Sequence, residues 1–158
     1  MSKDPVWACQ ESVDADVPVS SAWSFMSDVR NWSDPPAEFS LDGPFAAGTH
    51  GTTQMPGQPP TSWIIRNVVF ERAYTIEGFF LEHASLLVHW RFDPLADGRT
   101  RLTQRLELCG ENAARFIDDI RSAFEPNLEP GMQRIARMMM ERTANRATHQ
   151  HGLTRATD

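Results

Sequence analysis

Residues 84–110 read ASLLVHWRFDPLADGRTRLTQRLELCG. Two runs rich in β-branched, aromatic and leucine residues, Ala84 to Phe92 and Thr100 to Cys109, flank Pro94 to Arg99 with its Asp97-Gly98 turn. That pattern predicts two antiparallel strands. In the second run Arg101, Thr103, Arg105 and Glu107 share one face, and Leu102, Gln104, Leu106 and Leu108 share the other. Successive strand side chains point to opposite faces, so the first set is expected to be wet and the second buried. In the first run His89, Arg91 and Asp93 alternate with Val88, Trp90 and Phe92. Matching the faces through the turn places Trp90 beside Gln104.

The pattern continues upstream. Trp63 to Phe70 and Ala73 to Leu81 read as further strands, joined by Glu71-Arg72 and followed by Glu82-His83. Links this short join antiparallel neighbours. The Glu82-His83 hairpin predicts Ile76 beside Trp90 and Glu77 opposite His89, which gives an inward row Ile76–Trp90–Gln104. A two-residue Glu71-Arg72 turn aims Asn67 inward beside Ile76. One residue more or less aims Arg66 inward instead, although Arg66 on the solvated face is the plainer reading.

Further out, Val6 to Asp14, Glu38 to Asp42 and Gly48 to Met55 read as strands. Asp16 before Val17-Pro18 reads as a capped helix start. Ala22, Phe25, Met26 and Val29 then give a short helix its apolar face. Ser33-Asp34-Pro35-Pro36 is expected to end helical structure after Trp32. Beyond Gly110, Ile117, Ile120, Phe124, Leu128, Ile135 and Met139 keep three-to-four spacing, which predicts a long amphipathic helix. Pro126 and Pro130 predict a kink or break near Phe124 to Asn127. Past Ala144 the chain turns polar and is expected to fray. The expected organisation is one domain over residues 1–145 and a polar tail over 146–158.

The chain has 158 residues, of which 41% are hydrophobic and 23% charged, with a net charge of -6. That is enough chain for one core without metal or disulfide staples. An acidic domain without a basic stripe is a poor fit for nucleic acid. The five arginines from Arg134 to Arg155 read as a solvated helix face. No run approaches the ~18 apolar residues of a membrane span. Cys9 and Cys109 form no CxxC pair, and no cluster has metal spacing. With no apolar leader segment, a cytoplasmic protein with reduced thiols is expected.

Local patterns point to a family. Val13 to Asp28 (VDADVPVSSAWSFMSD) followed by Trp32, His89 to Thr103 (HWRFDPLADGRTRLT), and the long helix after Gly110 resemble the START-like, polyketide-cyclase-like superfamily, also called SRPBCC, helix-grip or Bet v 1-like. The resemblance covers residues 6 to 145. It implies an α+β helix-grip fold. In that fold a curved seven-stranded antiparallel sheet wraps around a long C-terminal helix, with two short helices between the first two strands. It also implies a hydrophobic cavity. The superfamily hosts aromatase/cyclases, dehydratases, lipid carriers, hormone receptors and ring hydroxylase domains, and no catalytic motif here separates them.

The expected function is binding of a small hydrophobic or aromatic molecule between sheet and helix. The candidate lining is Trp32, Trp63, Ile76, Phe80, Trp90, Gln104, Met132, Ile135 and Met139. Gln104 is polar on an apolar face, so its amide needs a partner: a ligand, ordered water, a neighbouring side chain or the helix. The alternative is a cyclase or dehydratase in the same cavity. Its first candidates are His50, between Gly48 and Gly51 where a ligand could approach closely, and Arg66, suited to an enolate. For His50, an exposed edge position is the plainer reading. His83, Asp42 and Glu77 are the other ionisable groups, with His83 in a turn and Glu77 facing out. No cofactor and no metal are expected, and a homodimer is left open. A partner-recruiting face around Met138-Met139-Met140 is a third reading, although at helical spacing at least one of these belongs to the core.

Overall fold

The computed structural model describes residues 4–32 and 37–155, with side chains described as far as residue 145. The elements follow in the order β1 (Trp7–Ala15), α1 (Val19–Met26), a 3-10 turn (Val29–Trp32), β2 (Glu38–Leu41), β3 (His50–Gln54), β4 (Thr61–Val69), β5 (Ala73–Leu81), β6 (Ala84–Pro94), β7 (Thr100–Cys109), a second 3-10 turn (Ala113–Phe116) and α2 (Ile117–Arg155). The strands form one seven-stranded antiparallel sheet in the order β1-β7-β6-β5-β4-β3-β2. The sheet wraps around α2, with α1 and the first 3-10 turn between β1 and β2, as a helix-grip fold requires.

Alternation along β7 explains the packing. Leu102, Leu106 and Leu108 are buried against the core, while Arg101 is exposed. Thr103 departs from its wet face. It is 4% exposed, and its hydroxyl meets Ser12 Oγ at 2.9 Å across β1. The outer face carries a ladder of charged pairs: Arg101 to Asp14 at 2.8 Å, Arg91 to Asp93 at 2.8 Å and Arg66 to Glu77 at 2.7 Å. Exposed pairs of this kind contribute little each.

A tighter group lies among them. His89 Nδ1 meets Thr75 Oγ1 at 2.9 Å, and its Nε2 meets Glu107 Oε1 at 2.6 Å. Arg105 Nε donates to Glu107 Oε2 at 3.1 Å. Burial pushes the Glu107 carboxyl up. The hydrogen bonds from His89 and Arg105 outweigh burial and hold it below its ordinary value of 4.5. A carboxyl depressed on folding stabilises the folded state above its unfolded value, and that contribution fades as pH falls through the folded value. Glu107→Gln is therefore expected to melt below wild type at pH 6. The gap should narrow as pH falls through the folded value. Thermal melts across pH 3–6 check this, and a gap independent of pH would contradict it.

Four local expectations are corrected. The row opposite Trp90 is Tyr74–Trp90–Gln104, not Ile76–Trp90–Gln104. Ile76 pairs with Val88, Glu77 with Leu87, and His89 with Thr75. An irregularity between Gly78 and Leu81 puts an extra β5 residue into the hairpin and moves the register. That bulge supplies one of the two positions by which Ile76 is displaced; the other comes from the hairpin itself, which pairs Leu81 with Ala84, and after two positions Ile76 still faces inward. In β4 the pairing passes from Ile65↔Ile76 to Asn67↔Thr75, which leaves Arg66 as the extra residue of a bulge. Arg66 and Asn67 are both exposed, so neither side of the open alternative is realised. Asp16 does not cap α1: the N-cap position is Pro18, without a side-chain cap. Finally, α2 runs unbroken through Pro126 and Pro130. Both prolines lie on its exposed face, where water can serve the carbonyls that lose their helical donors.

The helix backbone continues to Arg155, past the expected tail boundary. The Ser33–Pro36 stretch and the side chains of Arg146 and Arg155 lie outside the described residues. Met139 is fully buried and Met138 and Met140 are half-buried, so the methionine run belongs to the packing. Among the described residues no helix is long and apolar enough to cross a membrane.

Candidate functional site

The first 3-10 turn packs against α1 and β2. Its geometry is held by side-chain donors: Asn31 Nδ2 donates to Phe25 O at 2.9 Å and Trp32 Nε1 to Met26 O at 2.8 Å. With its N–H satisfied, Trp32 presents its ring to the interior. It stacks on Tyr74 at 6.1 Å between centroids, inclined by 13°, and lies 5.5 Å from Trp63. Trp63 is pinned from β4 by Nε1 donating to Thr53 Oγ1 at 3.1 Å. Trp90 continues the series 6.5 Å from Tyr74.

These rings form one wall of a cavity of about 620 Å³ between the inner faces of β4–β7 and α2. From α2, Phe124, Leu128, Met132, Ile135 and Met138 close the other side. Phe80, 42% exposed, also lines the cavity, which places it at the mouth. Of the expected lining residues, Trp32, Trp63, Ile76, Phe80, Trp90, Gln104, Met132 and Ile135 border this cavity. Met139 does not. It borders a smaller cavity of about 240 Å³ with Ser20, Ser24 and Arg142, on the side of α2 facing α1.

The expected catalytic pair is not in the cavity. His50 pairs with Ile64 on the outward parity and is exposed. Arg66 is held outside by Glu77 and stacks over Phe79, its Cζ 5.7 Å from the ring centroid. The close approach at Gly51 is made by Trp63, whose Cη2 and Cζ2 would lie 2.2 Å from a Cβ at position 51. Asp42 is exposed. His83 sits at the hairpin tip with φ 55°, and its carbonyl accepts the Asn112 N–H at 3.0 Å, which ties the tip to the start of the helical segment. Among the described lining residues there is no histidine, carboxylate or thiol; the titratable groups are Tyr74 and Arg134. Burial pushes the Tyr74 phenol well above its ordinary value, so it is neutral. Tyr74 was not among the sequence candidates, although it shares the inward parity of Ile76.

A curved sheet gripping one long helix around an aromatic cavity defines the START-like, Bet v 1-like class. The family model described as polyketide cyclase / dehydrase and lipid transport matches residues 7–140, and the chain belongs to that family. Solved structures share the fold at low identity. An aromatase/cyclase from Streptomyces sp. R1128 is 13% identical with a TM-score of 0.65, covering 87% of this chain and 95% of that one. Norcoclaurine synthase from Thalictrum flavum is 11% identical with a TM-score of 0.65, covering 85% and 87%. Ara h 8.0201 is 14% identical with a TM-score of 0.65, covering 88% and 98%. No curated protein matches the sequence.

Proposed function

We propose that the chain binds a small, largely apolar or aromatic molecule in the cavity between the sheet and α2. The observation that carries this reading is the wall itself. Its volume of about 620 Å³ falls within the ~300–1,000 Å³ of small-molecule sites. The rings of Trp32, Trp63, Tyr74 and Trp90 line it, and few polar groups interrupt them. The cyclase alternative needs a general acid or base within reach of the substrate. His50 and Arg66, its first candidates, lie outside the cavity.

Native mass spectrometry of the purified protein, followed by organic extraction, tests the reading. A co-purifying apolar molecule is the expected result. Trp90→Ala, with folding checked by circular dichroism, should weaken its binding about ten-fold or more, because a buried indole supplies large contact area. His50→Ala should leave binding unchanged. Turnover of a polyketide-like substrate that His50→Ala abolishes would replace the binding reading with the cyclase one.

A further inference from the structure

The cavity lies on one face of the sheet. On the other face the register lines up Asn67, Thr75, His89 and Arg105 across β4, β5, β6 and β7, and none of them borders the cavity. Thr75 Oγ1 stands 2.9 Å from His89 Nδ1, and His89 Nε2 stands 2.6 Å from Glu107 Oε1. Arg105 Nε holds the second carboxylate oxygen at 3.1 Å. An ionised carboxylate only accepts hydrogen bonds, so Glu107 fixes the neutral imidazole with its proton on Nε2. The Nδ1 lone pair then faces the Thr75 hydroxyl, which donates to it. A hydroxyl on a base that a third group orients is the arrangement that activates an oxygen nucleophile. Roles and geometry define it, not chain order. The His89 side chain is 34% exposed, so a small reagent can reach it.

The β4 bulge adds a further part. Without the extra residue, the pairing Ile65↔Ile76 would put Arg66 opposite Thr75 and leave Asn67 on the inner parity. With it, Asn67 stands opposite Thr75 and is exposed. Directly opposed Cβ atoms lie about 5 Å apart. The Asn67 amide is therefore within reach of the oxygen of a carbonyl group held at Thr75 Oγ1. A side-chain N–H in that place stabilises the oxyanion of acyl transfer. Bulges re-aim side chains beside active sites in this way. Next to Thr75 on the same face, Ala73 pairs with the exposed Val69, a small apolar floor for an acyl group. Glu77, on the other side of Thr75, is engaged by Arg66 at 2.7 Å.

We propose that Thr75, His89 and Asn67, with Glu107 as positioning residue, form a second site on the outer face of the sheet that hydrolyses small acyl esters. In the first step Thr75 Oγ1 bonds to the acyl carbon and its proton passes to His89 Nδ1. The bond from the acyl carbon to the ester oxygen breaks, and the leaving alcohol takes that proton. In the second step water adds to the acyl carbon and gives a proton to His89 Nδ1. The bond to Thr75 Oγ1 breaks, Thr75 takes the proton back, and the carboxylic acid leaves.

Release of p-nitrophenol from p-nitrophenyl acetate by the purified protein, with peptide mapping of any trapped acetyl group, tests the site. The wild type is expected to turn over repeatedly and to carry the acetyl group on Thr75. Thr75→Val, nearly isosteric, and His89→Gln should each lower kcat about 100-fold, whereas Thr75→Ser should keep turnover. Asn67→Ala should lower kcat about ten-fold with KM unchanged, a smaller loss than in an enclosed site because water screens the donor. Asn67 is exposed, so that variant reads the site even where a strand variant does not fold. Glu107→Gln, assayed well below its melting temperature, should lower kcat and leave KM, a split that lost stability alone does not produce. His50→Ala, exposed elsewhere on the sheet, should change nothing. No release above buffer, acetyl groups only on other residues, or wild-type kcat in folded Thr75→Val, His89→Gln or Asn67→Ala would overturn the proposal.

Discussion

Gly51→Ala is expected to lose both stability and ligand affinity, although residue 51 touches no ligand. A Cβ there would sit 2.2 Å from two ring atoms of Trp63, far inside contact distance. The indole is held by Thr53 on the same strand as Gly51, so it cannot swing away without breaking that bond. Either the ring leaves the cavity wall or β3 separates from β4. Overpacking of this kind costs about 1–3 kcal/mol. The displaced ring would also remove part of the aromatic wall, with an expected affinity loss of about ten-fold for an aromatic ligand. Thermal melts and ligand titration check the pair of effects. Wild-type stability together with wild-type affinity would show that Trp63 is not packed on Gly51 in solution.

Gly110→Ala is expected to be the most damaging single-methyl change in the chain. Gly110 links β7 to the second 3-10 turn with φ 118°, a conformation that strains any residue with a side chain. Its added Cβ would also lie 2.8 Å from Ala84 Cα and 3.0 Å from the His83 carbonyl oxygen, both backbone atoms that cannot rotate aside. Strain and clash together are expected to cost about 3 kcal/mol. For a chain of this size that lowers Tm by roughly 6–12 °C. The consequence reaches the cavity, because the connector that Gly110 begins sets where α2 starts and therefore how it lies across the sheet. A variant melting within about 2 °C of wild type would sink this account.

The antiparallel neighbours from β4 to β7 and the long helix were legible in the sequence because those features are periodic. Alternation in β6 and β7 was enough to place Trp90 beside Gln104, and the register agrees. What it did not carry were the irregularities. One extra residue in β4 leaves Arg66 outside beside Glu77, and one extra residue in β5 supplies one of the two positions of shift that set Tyr74 rather than Ile76 opposite Trp90. Neither bulge has a local marker strong enough to read, because each settles a mismatch between strands far apart in sequence. The prolines of α2 suggested a break that does not occur. Their local cost is real, but burial of Ile120, Leu128, Met132, Ala136 and Met139 along one side holds the helix together across them. Gly51 looked like room for a ligand and proved to be room for an indole. Only the cross-strand partner distinguishes the two, and that partner is a tertiary fact.

The sheet bears its ion pairs and its cavity lining on alternate residues of the same strands. Two heritable texts are therefore interleaved in one stretch of chain. Substitutions at the inward positions rewrite what the cavity accepts, and the outward positions go on holding strands together and keeping the surface charged. Length is the protected variable: a single-residue insertion in β6 would exchange the two texts wholesale, putting His89 inside and Trp90 in water. Such a frame can change its inner lining through point substitutions, while an extra residue is tolerated only where a bulge absorbs it, as at Arg66. That fits a fold still shared with relatives that match this chain at only 11–14% of positions.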